Sequence, residues 1–513
     1  MSASESRWGG GYVTDVPYLP GYYRHQSPLH LHLACLLGGV AGLDLGPGSP
    51  LSYLELGCGH GFGALALAVC NPCWRVTGID FNPAHIAAAR ALAAEAGINN
   101  ARFIEADLAM LMDGPVAHEV PEADVATAHG LWSWVTDPVR AGVVRLLATK
   151  VRPGGVVQLS YNALPGWQGA LGMQRLLREA GERLAARSDR QAEVGIEVVR
   201  ALADAKAHHL SGLPFVESLL EHARHCQTAY LAHEYMIEAW RPCFHADVVA
   251  AMAEAKLDWV ASAHLIENFS SLMLGEEART VLARFDDPVM RELVKDMCLP
   301  RSLRQDVFVR GAHHLSPTER DDALGKVMLG LLCSEERLAW EFEVPSGRAA
   351  LEQGFFGPIV ASLEQHPRLV SDLLALPDLP RHDNPGEIVG MLVGTDQALP
   401  ILAAPGQPDP RVARFNRLAA QRFVRQGNLN TGMALAASGT GAPVPCPMLD
   451  LFVVARLQEA QAPDPAAWAA KLGTGQPEAE RERLRAFIER LIAERAPVWQ
   501  RLGVLDAGCL SAL

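Results

Sequence analysis

Along the first third of the chain, short runs of apolar and β-branched residues recur, each followed by a longer stretch with apolar residues at helical spacing. Residues 52–57 (SYLELG), 75–80 (RVTGID), 101–107 (ARFIEAD), 124–129 (DVATAH) and 156–161 (VVQLSY) predict five strands. Helices are predicted to begin near Gly61, Pro83 and Pro138. Asn82 and Asp137 each stand before a proline, which puts an acceptor side chain at the N-cap and a residue without an N–H at the first helical position. Gly97 is the expected C-terminal glycine of the second helix. Alternation of this kind implies an α/β doubly wound, Rossmann-like sheet with helices on both faces.

After Trp167 the pattern is helical to about Glu254 and is then broken by two β-rich stretches, residues 257–265 and 305–311. These read as the last, antiparallel strands of the same sheet, so that residues 169–254 form a helical insertion and 255–315 return to the sheet. From residue 316 the composition shifts, with proline and glycine turns at 378–386, 404–410 and 438–447. Residues 316–513 read as a separate, mainly α C-terminal module with a small sheet that takes in 338–344; a winged-helix-like form is one option. Residues 1–168 hold the N-terminal segment and the presumptive binding core. The charged run 478–490 reads as a surface helix with spaced ion pairs.

Composition sets bounds. With 513 residues, 49% hydrophobic side chains, 20% charged ones and a mean hydropathy of +0.07, the chain can build several cores. The net charge of −13 argues against a duplex nucleic acid partner, which needs a basic surface. The first residues lack the charged start and apolar run of a signal peptide, and no run of 18 apolar residues occurs, so no membrane span is expected. Ten scattered cysteines fit a reducing, cytoplasmic compartment. Cys70 and Cys73 form a CxxC with no second pair at zinc-finger spacing, and the histidines at 208, 209, 222, 225, 233 and 245 form no HExxH, so no metal is expected.

The chemistry concentrates in Glu55-Leu56-Gly57-Cys58-Gly59-His60-Gly61, which follows the first strand and opens a helix. Glycines there let backbone amides approach a ligand, and a helix N-terminus adds partial positive charge. The dinucleotide pattern fails because Phe62 stands where its third glycine belongs, and no Gly-Lys-Ser/Thr follows to make a P-loop. Asp80 ends the second strand, where a carboxylate can accept from two ribose hydroxyls; Asp107 ends the third and can accept from an adenine amino group. Either alone could simply cap a helix. Together with the glycine turn they indicate a nucleoside-type cofactor.

This set resembles the class I S-adenosylmethionine-dependent methyltransferases. The resemblance implies Glu55, Gly57, Cys58, Gly59 and Gly61 near the methionine end of the cofactor, Asp80 with Phe81 at the ribose, Asp107 with Leu108 around adenine, and His129 at the edge of the same site. A narrower likeness rests on residues 128–135 (AHGLWSWV), 159–167 (LSYNALPGW) and 233–235 (HEY), and on the tyrosines Tyr12, Tyr18, Tyr22 and Tyr23. These are similar to bacterial methyltransferases that carry a methyltransferase regulatory domain, a group that includes rickettsial enzymes methylating lysines of an outer-membrane protein. Leu131-Trp132 departs from the Val-Tyr that the group would carry there.

Strands four and five should end beside the cofactor, which makes His129, Trp132, Tyr161 and Asn162 the catalytic candidates, with Trp134 beside them. Tyr161 or Asn162 would orient an acceptor amine; His129 would accept a proton or brace its loop; Trp132 and Trp134 read equally as core packing. Tyr18, Tyr22 and Tyr23 form either a lid or an anchor. The implied activity is N-methylation of lysine in a protein acceptor held by the C-terminal module. Methylation of a small molecule or natural product is the alternative enzyme, and a cofactor-loaded interaction scaffold the non-enzymatic one. Oligomeric state is not encoded in any of these features.

Overall fold

The computed structural model describes residues 11–18, 20–406, 409–424, 429–459 and 463–506. Seven strands share one sheet: β1 (Ser52–Leu56), β2 (Arg75–Asp80), β3 (Ala101–Glu105), β4 (Ala123–Ala128), β5 (Val151–Asn162), β6 (Leu257–Ser262) and β7 (Leu303–Arg310). Their order is β3-β2-β1-β4-β5-β7-β6. Strands β1 to β5 run parallel, and β7 is antiparallel to both β5 and β6. The doubly wound sheet read from the sequence is therefore present, closed at one edge by the two later β-rich stretches. Strand order reverses between β1 and β4, and a crevice opens at the carboxyl ends of the strands at such a point.

Period-two alternation divides the sheet residues between two cores. Tyr53, Val76, Phe103 and Val125 pack with α1 (Pro28–Leu37), α2 (Phe62–Cys70) and α3 (Pro83–Ala96). Leu54, Ile79, Ile104 and Val157 face the other way, towards α4 (Asp137–Lys150) and a later helix. Asn82 caps α3 as expected, its side chain accepting from the Ala84 amide at 2.9 Å, and Gly97 ends that helix at φ 71°. Asp137 departs from expectation. Thr136 holds the N-cap position, and Asp137 is the first helical residue, its carboxylate turned to Arg140 and Arg241. Two arginine partners outcompete the local amides for it.

Residues 171–235 form α5 (Leu171–Leu184), α6 (Ser188–Asp204), α7 (Pro214–His222) and α8 (Thr228–Tyr235), packed about a cluster of their own that includes Trp167, Leu177, Ile196 and Leu231. Helices α5 and α6 touch closely at Gly195, where a Cβ would stand 2.4 Å from the Leu177 carbonyl. The next helix, α9 (His245–Ala253), lies back on the sheet through Val248 and Met252.

Helices α10 (Ser270–Met273), α11 (Glu276–Leu282) and α12 (Pro288–Cys298) lead into β7. Beyond residue 316, α13 (Pro317–Gly325) starts on a Ser316/Glu319 capping box. Strands β8 (Met328–Leu331), β11 (Arg368–Leu369) and β12 (Ala398–Ile401) make a three-stranded antiparallel sheet. The stretch 338–344, expected in a small sheet, contributes β9 (Glu341–Val344) to a two-stranded antiparallel sheet with β10 (Gly347–Ala350). Helices α14 (Gln353–Gln365), α15 (Val370–Leu374), α16 (Pro385–Gly394), α17 (Pro410–Phe423), α18 (Met448–Glu459), α19 (Pro465–Leu472) and α20 (Glu478–Arg501), with the hairpin β13 (Gly432–Leu435) and β14 (Val444–Pro447), complete the chain. The charged run 478–490 lies in α20 and carries the i,i+4 pair Arg485–Glu489.

The C-terminal module shares its apolar core with the sheet. Phe62 of α2 meets Phe415 and Phe423 of α17 at ring separations of 5.7 and 5.6 Å. Arg422 donates to the Ala88 carbonyl at 3.0 Å and pairs with Glu95 on α3. Among the described residues, no helix is long and apolar enough to cross a membrane.

Candidate active site

The glycine turn between β1 and α2 is built from three left-handed residues, Gly57 at φ 72°, Gly59 at φ 51° and Gly61 at φ 70°. A side chain is impossible at Gly61 on a second count, since a Cβ there would lie 2.6 Å from the Phe103 ring. Gly59 is different. A Cβ at that position would meet nothing closer than Tyr18 at 4.0 Å, so its backbone borders open space. The turn is tied to β2 by the amides of Gly57 and Cys58, both donating to the Ile79 carbonyl.

Asp80 organises the next strand end. Its Oδ2 accepts from the Gly59 amide and its Oδ1 from the Asn82 amide, each at 2.9 Å. His85 Nδ1 also lies 3.3 Å from Oδ1; with about four acceptor positions on a carboxylate, capacity for a ribose hydroxyl remains. Asp107 is exposed two residues beyond β3 and accepts from the Ala109 amide. A cavity of about 290 Å³ joins these elements: Gly57, Gly59, Asp80, Phe81, Asp107, Leu108 and His129 all line it, beside Leu131 and Trp134.

Three residues expected at the cofactor stand behind this wall. Gly61 is the N-cap of α2. The Cys58 side chain packs inward, its sulfur 2.8 Å from where a Gly78 Cβ would be. Glu55 is buried beneath the turn, with Oε1 accepting from Gln26 at 3.2 Å and Oε2 without a hydrogen-bond partner among the described residues. Burial pushes its carboxyl up to about 7, Gln26 opposes this, and the charge of Asp80 adds to it. A buried, unmatched carboxylate oxygen beneath the turn suits a cofactor whose amino-acid end carries positive charge.

A second cavity of about 390 Å³ adjoins the first, and the two share Tyr12, Tyr18, His129, Gly130 and Trp134. Its further lining includes Tyr23, Ser160, Asn162, Tyr230 and Glu234. The ends of β4 and β5 are stitched together beside it: Gly130 donates to Ser160 Oγ and the Asn162 amide to Ser133 Oγ, both at 2.8 Å. Asn162 is buried, yet its side-chain Nδ2 has no hydrogen-bond partner among the described residues. His129 stacks on Tyr23 at 3.8 Å, and burial lowers it to about 4, so its imidazole is neutral near pH 7. A neutral imidazole there packs against the N-terminal segment.

Two catalytic candidates fall elsewhere. Tyr161 is fully buried on the opposite face of the sheet, where its hydroxyl bonds to Asp306 and lies 3.2 Å from His245 Nδ1. Trp132 packs in the core beneath α4, and its carbonyl accepts from Arg140. The expectation that either one contacts an acceptor is corrected by strand alternation in the first case and by the turn of the loop in the second. Conversely, Trp134 lines both cavities, and its indole Nε1 is an unpartnered buried donor among the described residues. The N-terminal tyrosines divide in the same way. Tyr12 makes a T-shaped contact with Phe81 and Tyr18 one with His233, and both tyrosines line the two cavities. Tyr22 anchors the segment, buried and with its amide bonded to Gly432. Glu234 and Tyr230, both on α8, were assigned no role from sequence: Glu234 stands in the 233–235 run that carries the family likeness, but only packing brings this distant helix to the cavity.

Two family models match: a methyltransferase domain over residues 54–155 and the "predicted methyltransferase regulatory domain" over residues 227–310. An uncharacterised protein of Synechocystis sp. is 33% identical over 366 residues, covering 71% of each chain. The chain belongs to the class I S-adenosylmethionine-dependent methyltransferases. An uncharacterised protein of Rickettsia prowazekii is 27% identical over 231 residues, which is 44% of this methyltransferase and 86% of that protein. The structure of PKMT2 from Rickettsia typhi in complex with AdoHcy superposes with a TM-score of 0.68 at 15% identity, over 95% of this methyltransferase and 100% of that chain. The match at residues 227–310 spans α8, α9, β6 and β7, so the regulatory-domain sequence contributes both the edge of the sheet and a wall of the second cavity.

Proposed function

We propose that this methyltransferase N-methylates lysine side chains of a protein. The observation that carries the reading is the wall of the second cavity: Tyr12, Tyr18, Tyr23 and Tyr230 with one carboxylate, Glu234, and, among the described residues, no lysine or arginine. Aromatic faces and an anion accept a cationic amine on an alkyl stem, and they disfavour an anionic acceptor. S-adenosylmethionine, when bound, supplies an electrophilic methyl group on a sulfonium. Gly57, Gly59, Asp80, Phe81, Asp107 and Leu108 are the residues to hold it, with Glu55 behind the turn balancing charge. Asn162 would orient the acceptor through its unpartnered Nδ2, and Tyr12 and Tyr18 exclude water where the two cavities meet. Positioning of this kind and a dry site can supply most of the acceleration in a direct displacement.

A lysine presents itself protonated, with a reference pKa of about 10.4, and freeing its lone pair at pH 7 costs roughly 4 to 5 kcal/mol unless the cavity lowers that value. A tyrosine-lined cavity disfavours the charged form by desolvation. The test is incubation of bacterial lysate with the purified enzyme and isotopically labelled cofactor, followed by mass spectrometry of proteins and metabolites. Label on lysine Nζ is the expected result; label confined to small molecules would replace this reading with small-molecule methylation.

A further inference from the structure

Glu234 projects from α8 into the wall of the second cavity and does not line the cofactor cavity. Four tyrosines face or adjoin it electrostatically, Tyr18 and Tyr23 from the N-terminal segment and Tyr230 and Tyr235 from its own helix. From β5 comes Asn162, whose side chain lines the same cavity. Of the cavity's histidines, burial holds His129 and His233 at about 4, and the His222 Nε2 lies 2.8 Å from the Cys226 sulfur. A recessed carboxylate with no lysine or arginine in its cavity wall among the described residues is costly unless the ligand brings a cation.

We propose that Glu234 binds the ammonium group of the acceptor and takes its proton before methyl transfer, an assignment that rests on the amine reading above. One N–H bond of the ammonium breaks and an O–H bond forms on the Glu234 carboxylate. The electron pair left on nitrogen makes the new N–CH₃ bond as the S–CH₃ bond breaks, and the pair of that broken bond stays on the sulfur of S-adenosylhomocysteine. The proton on Glu234 passes to solvent when the product leaves, which completes the release of one proton per methyl group. Burial pushes the Glu234 carboxyl up to about 7, with Asn162 opposing, so it can both take a proton near neutrality and return it to water. Desolvation in the same cavity lowers the ammonium towards it.

Two measurements test the assignment. In calorimetry on protein saturated with S-adenosylhomocysteine at pH 8, n-butylammonium should bind the wild type at least about tenfold more tightly than Glu234→Gln, while uncharged 1-butanol should not distinguish them. In initial-rate assays with labelled cofactor and lysate protein as acceptor, Glu234→Gln should lose about a hundredfold or more at pH 7. That gap should narrow towards pH 10, where the free amine arrives unprotonated, with S-adenosylhomocysteine affinity unchanged within about threefold. Glu234→Asp, which keeps the carboxylate, should recover part of the rate, and it carries both assays if the glutamine variant lacks a cooperative melt. Equal rates at pH 7, or equal butylammonium affinity with a deficit that does not vary with pH, would overturn the assignment while a mapped N-methyl product leaves the amine reading standing. A methyl group mapped to oxygen or carbon would overturn both.

Discussion

Tyr161 and Asn162 are neighbours on β5 and face opposite sides of the sheet: the Tyr161 hydroxyl bonds to Asp306 in the core, while Asn162 borders the second cavity. The pair separates two roles that adjacent polar residues at a strand end would otherwise share. Asp306 is also held by Arg304, His245 and the Trp259 indole, so Tyr161 belongs to a buried polar network.

Tyr161→Phe should therefore cost stability, about 1 to 3 kcal/mol for a lost hydrogen bond to a buried charge, and leave turnover per folded molecule within a few-fold. Asn162→Ala should do the reverse, lowering turnover by about tenfold or more with the melt and the S-adenosylhomocysteine affinity little changed. Urea melts and initial rates on the same preparations separate the two outcomes.

Asp80→Ala should weaken S-adenosylhomocysteine about ten- to a hundredfold, from loss of roughly 1.5 to 3 kcal/mol of charged hydrogen bonding. Because Asp80 also accepts from the amides of Gly59 and Asn82, the variant should melt at a lower temperature even without ligand. Calorimetry showing wild-type affinity in the folded variant would remove Asp80 from the cofactor site.

Stability should respond to pH with opposite signs at two places. Glu55, pushed up to about 7 by burial, keeps a proton in the native state that the unfolded chain loses near 4.5, so its contribution declines as pH rises from about 4.5 to 7. Glu55→Gln should then stabilise the protein at pH 8 by up to about 3 kcal/mol and have little effect at pH 4. Glu292 runs the other way. Burial alone would raise it, but Arg304, Lys295 and Arg301 bring it to about 2, so its contribution is present above about 4.5 and lost as pH falls towards 2. Denaturant melts of wild type and Glu55→Gln across pH 4 to 8 check the first sign, and melts of wild type and Glu292→Gln across pH 2 to 5 check the second.

Removal of residues 316–513 should abolish the cooperative melt. Phe62, in the first turn of α2, loses its contacts with Phe415 and Phe423 in that truncation, and the core that α1, α2 and α3 build on this face of the sheet is cut open where the residues beyond 316 complete it. A truncated protein that still melts cooperatively and binds S-adenosylhomocysteine would show that the shared core is dispensable and leave the module free to serve as a docking surface for a protein acceptor.

The parallel strands, the glycine turn, Asn82 at its cap and Asp80 at its strand end were all legible in the sequence, because each depends on local rules: period-two and helical spacing, proline at a helix start, glycine where φ is positive. Asp137 marks the limit of such rules, since two arginines, one of them more than a hundred residues away, took the carboxylate that a local reading had assigned to a cap. Of the second cavity the sequence offered separate pieces, His129, Trp134, Asn162 and the N-terminal tyrosines, but not their assembly with α8. Its walls come from the N-terminal tyrosines, the ends of β4 and β5, and α8, segments that only packing brings together. The same holds for which of Tyr161 and Asn162 meets the acceptor: the sequence placed both at the end of a strand, but which face of the sheet is core and which is cavity depends on where the helical insertion packs, and only the tertiary structure decides that.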